Sequence, residues 1–166
     1  MAFWVVAALF AVSAGISYSS IQSAKKQAKK QADAMAGVLV NKESNIEPLP
    51  VIYGTRRVGG VRVFVSTRDA SGGDPNEYLY IALTLCEGEV DAITNIFLDD
   101  KPITDSQYTG LYTVNVHTGA DNQTYDSLLA EASGWTTAHK LSGVAYIGIR
   151  LKWDQDAFSG IPEITA

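Results

Sequence analysis

The 166-residue chain contains 46% hydrophobic and 19% charged residues, a composition that supports a folded core and excludes general disorder. Its single cysteine, Cys86, excludes an internal disulfide framework. The net charge of -5 is unevenly divided, because residues 1–68 carry nine Lys or Arg against three acids and residues 69–166 carry four against fifteen. The opposite charges of these two parts of the chain would favour head-to-tail contacts between copies. The alternative is a solvated surface whose composition is uneven.

The chain begins with an apolar segment that is followed by a helix-forming one. Residues 1–16 are almost wholly apolar and no charged side chain precedes Lys25. Three interpretations stay open: a helix buried against other chains, a membrane-inserting segment, or a signal peptide that lacks a basic start. Residues 21–36 contain neither Gly nor Pro and favour a helix rich in Ala, Lys and Gln. We predict an N-terminal α-helical region over residues 1–40.

This helical region is the predicted assembly interface. Its alanines recur every four residues, which lets a partner backbone approach closely, whereas its lysines are typical of a solvated face. The lysines could also meet lipid headgroups or DNA phosphates, but no motif indicates specific nucleic-acid recognition. The predicted interface residues are Phe3, Trp4, Val5, Leu9, Phe10, Ala24, Ala28, Ala32 and Ala36.

A β-rich domain is predicted over residues 51–166, after a polar linker at residues 41–50 that contains two prolines. In the first strand, Val61, Val63 and Val65 alternate with Arg62, Phe64 and Ser66 and predict one half-buried apolar face. A loop rich in turn-forming residues follows at residues 69–76.

The stretch from Tyr78 to Thr104 has the strongest strand signal. Its alternation predicts an apolar face formed by Leu79, Ile81, Leu83 and Leu85, with Cys86 packed on the opposite face. Glu87-Gly88-Glu89 then predicts a tight reversal into a second strand from Ile93 to Leu98, which ends at an Asp-Asp-Lys-Pro turn. We expect these two strands to pair as the seed of an antiparallel sheet.

Two further strands are expected toward the end of the chain. Residues 111–117 alternate with Tyr112, Val114 and Val116 on the apolar face, and residues 144–153 form the last strong strand. Between them, residues 124–133 predict a short helix capped at Thr124 or Asp126 and packed down by Trp135. The predicted fold is mainly β with an N-terminal α-helix, as an antiparallel sandwich or partly open barrel with one short helix inserted near 124–133.

The sequence predicts neither an enzyme nor a cofactor or metal site. His117 and His139 are the only histidines, and His117 falls on the polar side of an edge strand, where a surface position is expected. No phosphate-binding glycine motif occurs. Five acids gather near two turns and could serve glycoside hydrolysis, but solvated turn residues are the simpler interpretation. They are Glu87, Glu89, Asp91, Asp99 and Asp100.

Several pieces of the chain resemble a known family. The strand that ends in Cys-Glu-Gly-Glu-Val and the following Ile-Thr-Asn-Ile-Phe-Leu-Asp-Asp-Lys-Pro-Ile resemble the N-terminal part of the central tail-tip proteins of long-tailed bacteriophages, the family of the lambda host-specificity protein J. The segment from Glu47 to Gly60, the section from Gly119 to Tyr146 with Trp135, and Gly160 to Thr165 resemble further parts in the same order.

The resemblance implies a structural protein at the tail tip of a phage virion. It implies a ring, of three copies, that closes the tail tube and meets the distal tail protein and the tape-measure protein. Family members are several times longer, so we expect the hub domain to continue beyond residue 166. Two rival functions remain: a membrane-anchored bacterial β-domain that binds an envelope partner, and a cell-wall hydrolase domain that uses the acids near the turns.

Overall fold

The computed structural model describes residues 41–43, 48–71 and 75–166 of the chain. All of them belong to the second of two units in the chain, Val38–Ala166. The helical region predicted over residues 1–40, with all nine predicted interface residues, lies outside the described residues.

The described residues form eight strands and two short 3-10 turns. The strands are β1 (Lys42–Glu43), β2 (Val61–Arg68), β3 (Tyr78–Glu87), β4 (Phe97–Leu98), β5 (Lys101–Pro102), β6 (Tyr112–Thr118), β7 (Val144–Lys152) and β8 (Ile164–Thr165). The 3-10 turns are Ser106–Tyr108 and Leu129–Glu131. The prediction of a mainly β fold is therefore confirmed for this part of the chain.

The larger sheet has five strands in the order β1-β2-β3-β7-β6. All pairs are antiparallel except β1 with β2, which is parallel. The predicted hairpin between residues 78–86 and 93–98 is wrong, because β3 pairs with β2 on one side and with β7 on the other. A strand with two apolar faces belongs in the middle of a sheet, and β3 is buried on both faces from Tyr80 to Cys86.

The next two strands after β3, β4 and β5, form a second, smaller sheet together with β8, in the order β5-β4-β8. The strand predicted at residues 93–98 is reduced to Phe97–Leu98. Asp99 and Asp100 then adopt positive φ angles of 48° and 64°, which gives the two-residue reversal into β5. The turn predicted at Asp99-Asp100 is therefore present, and it joins β4 to β5.

Two hydrophobic clusters lie on opposite faces of the larger sheet. On the first face, Ile81, Leu83, Ile147 and Ile149 pack against the smaller sheet through Leu98 and Ile164. On the second face, Tyr80, Ala82 and Tyr146 are covered by Leu129 and Trp135, so Trp135 packs down this segment as predicted. The described residues thus form two sheets with a shared core, and they contain no closed barrel.

The predicted apolar face of β2 is wrong. A register shift between Arg62 and Phe64 places Phe64 on the second face, where its ring lies 5.2 Å from that of Trp135. Val61 is buried, but Val63 and Val65 are 41% and 37% exposed. The period-2 pattern assumes strict alternation and therefore assigned the three valines to one face. A β-bulge interrupts that alternation, so the assignment fails.

The segment predicted as a short helix at residues 124–133 contains the single 3-10 turn Leu129–Glu131. Of its two predicted caps, Asp126 does accept hydrogen bonds from backbone N–H groups at the start of this turn, those of Leu128 and Leu129. The capping chemistry was predictable, whereas the length of the helix was not.

Part of the predicted linker at residues 41–50 belongs to the sheet. Lys42–Glu43 pairs with Val61–Arg62. The buried Asn41 side chain donates to the carbonyl oxygens of Gly59 and Ile164 and accepts from the Ile164 N–H. Its amide therefore binds both backbone polar groups of a residue 123 positions away, as a neighbouring strand would.

Candidate assembly surface

The larger sheet has two strand edges without a neighbour among the described residues. On one side, β1 pairs with Val61 and Arg62, and no described strand pairs with the outer edge of β2 from Val63 to Arg68. On the other side, β6 pairs with β7 alone among the described strands, and its outer edge has no strand partner from Tyr112 to His117, whereas the Thr118 carbonyl accepts from the Val90 N–H at 2.9 Å. Unpaired backbone N–H and C=O groups along a strand edge are a template for pairing with another chain.

Both open edges also expose valines on the first face of the sheet. The pairing registers place residues of four strands in rows, such as Val65, Ile81, Ile149 and Val114. The interior members of this row are fully buried, whereas Val65 is 37% exposed. In the adjacent row, Leu83 and Ile147 are fully buried and Val116 on β6 is 42% exposed. The smaller sheet therefore covers the middle of the first face and leaves its margins partly uncovered.

The two edges differ in charge. Residues 51–68, which include β2, contain four arginines and no acid. Residues 102–130, which include β6, contain Asp105, Asp121 and Asp126 and neither lysine nor arginine. The β2 edge is therefore basic, whereas β6 itself carries no acidic side chain and Asp126 is fully buried.

A buried carboxylate fixes the segment that covers the second face. The fully buried Asp126 accepts from Asn115 Nδ2 at 3.1 Å and pairs with His117 Nε2 at 3.0 Å, both on β6. It also accepts from the Leu128 and Leu129 N–H groups at 2.8 and 3.0 Å. The carboxylate thus joins the edge strand to the 3-10 turn that lies over the sheet.

A glycine in β7, Gly148, leaves space for this carboxylate. A Cβ atom at Gly148 would lie 2.1 Å from Asp126 Oδ2, so the position has room for no side chain while the carboxylate is in place. Burial acts to raise the pKa of Asp126, but the hydrogen bonds from His117, the Leu129 N–H and Asn115 outweigh it, and the pKa lies below its ordinary value. Asp126 is therefore held as a carboxylate.

His117 corrects a prediction. We expected a surface histidine, but its side chain is 15% exposed, lies parallel to the Tyr146 ring with centroids 4.2 Å apart, and contacts Asp126. Burial raises the pKa of the Tyr146 phenol, and the nearby Asp126 charge raises it further. Sequence reasoning missed this network because its members come from three separate segments, and the only local signal was the capping position of Asp126.

A groove of about 590 Å³ lies between the segment at residues 52–58 and the segment at residues 85–97. Arg57 joins these parts of the chain, because its guanidinium binds Asp100 Oδ1 at 2.6 Å, donates to Thr165 Oγ1 at 2.7 Å and lies 4.1 Å from the centre of the Phe97 ring. Of the five acids near the turns, Glu89 and Asp91 line this groove.

Two of the remaining acids have structural partners. Asp100 pairs with Arg57, and Asp99 Oδ1 accepts the Glu163 N–H at 2.9 Å. Glu87 is exposed at the end of β3. In the described part of the chain, we find no group of three His, Cys, Asp or Glu side chains arranged to hold a metal ion.

Cys86 is buried as predicted, and burial raises the pKa of its thiol. Its predicted face is wrong, because a register shift between Thr84 and Cys86 pairs it with Ala145, which shares the first face with Ile147.

The three ranges that the structure describes include no helix with the length and apolar character of a membrane span.

The chain is similar to a chain in the virion of a native gene transfer agent (GTA) particle. The two share 25% sequence identity, and the TM-score is 0.56. The similarity covers 76% of this chain and 27% of that chain, so this chain corresponds to a minor part of the larger protein. No family model matches the chain, and no curated protein matches it either.

Proposed function

We propose that this chain is a structural protein of a phage-like virion. The observation that carries the proposal is the likeness to a chain of a GTA virion, with 25% identity over 76% of this chain. Asp99, Asp100, His117 and Asp126 each have a structural partner, and the proposal includes that the chain performs no reaction of its own.

Within that class, the particular role proposed is that of a tail-tip hub. The sequence pieces that resemble the central tail-tip family occur in the same order along residues 47–166. On this proposal, three copies form a ring that closes the tail tube and meets the distal tail protein and the tape-measure protein. The open strand edges support a ring, since neighbouring subunits would satisfy their unpaired backbone groups.

Immunogold electron microscopy of particles that carry an epitope-tagged chain tests both levels of the proposal. We expect the tagged chain to sediment with particles and the gold to lie at the tip of the tail. Gold over the head or along the tube would contradict the hub role and retain the virion role. A chain that is absent from particles and enriched among integral membrane proteins would overturn the proposal and favour the membrane-anchored alternative.

Deletion of residues 1–36 tests the proposed assembly role of the N-terminal region, which the hub proposal includes. We expect the truncated chain to keep the far-ultraviolet circular dichroism of a β-rich protein and to fail to enter particles. Infectious particles that carry the truncated chain would contradict an assembly role for Phe3 to Ala36, including the alanine stripe, without affecting the assignment of residues 51–166.

A further inference from the structure

We infer that the groove between residues 52–58 and residues 85–97 holds an extended polypeptide strand, formed by the segment that continues β8 beyond Ala166. The inference rests on the proposed hub role, in which the hub domain continues beyond residue 166, and it specifies where that continuation binds. Three observations support it: the direction of β8, the unpaired backbone of the groove walls and the charge of Arg56.

β8 is directed into the groove. It pairs antiparallel with β4, so that Thr165 lies opposite Phe97. On the other side, Ala166 exchanges two backbone hydrogen bonds with Val58, at 2.8 and 3.1 Å, as a close antiparallel pair does. Phe97, Val58 and Ala166 all line the groove. A strand that keeps this direction therefore runs along the groove and has one wall on each side.

The existing pairing assigns a partner to each of the next two residues of such a strand. The Asp99 N–H donates to the Glu163 carbonyl, so alternate residues of this strand bond to the β4 side. Ala166 belongs to the intervening set, which bonds to the opposite wall. When the two registers are extended, the first residue after Ala166 bonds to the backbone of Asn95 and the second to the backbone of Arg56. Asn95 and Arg56 line the groove, so both partners are in place.

The backbone of both walls has hydrogen-bonding groups for an added strand. Among the described residues, no backbone–backbone hydrogen bond involves residues 53–57 or residues 91–95. In these walls, Arg56, Thr94 and Asn95 are exposed to solvent. An added strand bonds to such groups on both sides at once, and main-chain hydrogen bonds of this kind provide the affinity in recognition by strand addition.

Arg56 favours an acidic residue at the second position of the strand. The neighbouring Arg57 is paired with Asp100 at 2.6 Å, whereas Arg56 is exposed at the groove. Residues that lie directly opposite each other in an antiparallel pair project from the same face, and opposite charges at such positions attract. A carboxylate at the second position therefore lies beside the Arg56 guanidinium.

A short extension of the full chain tests the inference with a defined strand. The sequence Thr-Glu-Val-Thr, added directly after Ala166, supplies the backbone groups for both walls and a carboxylate opposite Arg56. Amide hydrogen exchange, followed by nuclear magnetic resonance, measures whether the strand forms. We expect the Arg56 N–H to exchange at least about fivefold more slowly than in the chain without the extension. The exposed Thr137 N–H, on the segment that covers the second face, is expected to exchange at an unchanged rate.

Two controls make this result specific. The extension Pro-Glu-Pro-Thr has the same length and charge, but proline lacks the N–H group and does not fit a strand that is paired on both sides, so we expect no slowing of exchange. In an Arg56→Glu chain, we expect Thr-Lys-Val-Thr to slow exchange at position 56 more than Thr-Glu-Val-Thr does, each measured against the same variant without an extension. No slowing by Thr-Glu-Val-Thr in the wild-type chain, or equal slowing by the proline extension, would overturn the inference.

Two further measurements identify the occupant and separate this inference from the proposed function. In the chain without an extension, exchange of the Arg56 N–H that slows as the protein concentration rises would show a second copy in the groove and overturn the assignment. In natural particles, the polypeptide that contains residues 51–166 is expected to exceed 17.8 kDa, and a mass of 17.8 kDa would overturn the continuation of β8. Either failure leaves the virion role standing, whereas a chain that never enters particles would remove the proposed function.

Discussion

The methyl group of an alanine at Gly148 tests whether Asp126 holds the covering segment onto the sheet. An ideal Cβ atom at this position lies 2.1 Å from Asp126 Oδ2 and 2.7 Å from its Cγ. The backbone of β7 is fixed by pairing with β3 and β6, so the carboxylate must move. This movement weakens its hydrogen bonds with two side chains, those of Asn115 and His117, and with two backbone N–H groups.

The expected loss in the free energy of unfolding combines two costs and one gain. Insertion of one methyl group into a packed interior costs about 1–3 kcal/mol. Each hydrogen bond to a charged group contributes about 1.5–3 kcal/mol, although movement of the carboxylate weakens these bonds and does not remove all of them. Alanine in a strand recovers about 0.5–1 kcal/mol relative to glycine. We therefore expect Gly148→Ala to lower the free energy of unfolding by about 3 kcal/mol.

Urea denaturation of the full chain, followed by circular dichroism, measures this change. The matched control is Gly160→Ala, since a Cβ atom at Gly160 meets no atom within 4 Å and its φ lies outside the left-handed region. We expect that control to change the free energy of unfolding by less than about 0.5 kcal/mol. Gly148→Ala is also made in an Asp126→Ala background, where the clashing carboxylate is absent and its cost is expected to fall.

Two results would refute this reasoning. If Gly148→Ala were no more destabilising than Gly160→Ala, the carboxylate would not lie above β7 as described. If its cost were equal in the wild-type and Asp126→Ala backgrounds, the destabilisation would come from another contact, such as the Leu129 side chain 3.2 Å from the added atom.

Three further predictions concern stability. Leu83→Asp places a charge at a fully buried position and is expected to cost about 4 kcal/mol or more, so a soluble variant with a cooperative urea transition would contradict the assigned strand face. Asn41→Ala leaves both backbone groups of Ile164 without their partner and should lower the free energy of unfolding by about 2–3 kcal/mol, against little change for the exposed control Asn122→Ala. Because the folded pKa of Asp126 is depressed, its contribution is present above the unfolded value of about 3.9 and is lost as the pH falls through the folded pKa. The destabilisation by Asp126→Asn, measured by urea titration, should therefore be full at neutral pH and shrink below about pH 4, and a constant difference would contradict the ionised state.

The long strands show what local pattern can predict. Residues 78–86 and 144–153 alternate over nine or ten positions, and both form strands within one residue of the expected bounds. Such runs leave the backbone few alternatives, because alternation matches the two faces of a sheet. The shorter run at residues 93–98 lacked this length, and most of it is irregular.

The faces were less predictable than the strands. Two β-bulges, one between Arg62 and Phe64 and one between Thr84 and Cys86, shift the alternation by one residue and move side chains to the opposite face. No local feature at these positions marks a bulge, since the shift depends on how the neighbouring strands fit.

Sequence by itself determined the class of fold in the described residues, the two long strands, the turn at Asp99-Asp100 and the opposite net charges of residues 1–68 and 69–166. These follow from side-chain periodicity, turn chemistry and composition, which act over a few residues. Only the tertiary structure decided that β3 pairs with β2 and β7 and that Asp126 lies above Gly148. Contacts between residues far apart in the chain depend on how whole strands pack, and no periodicity within a segment specifies its partner.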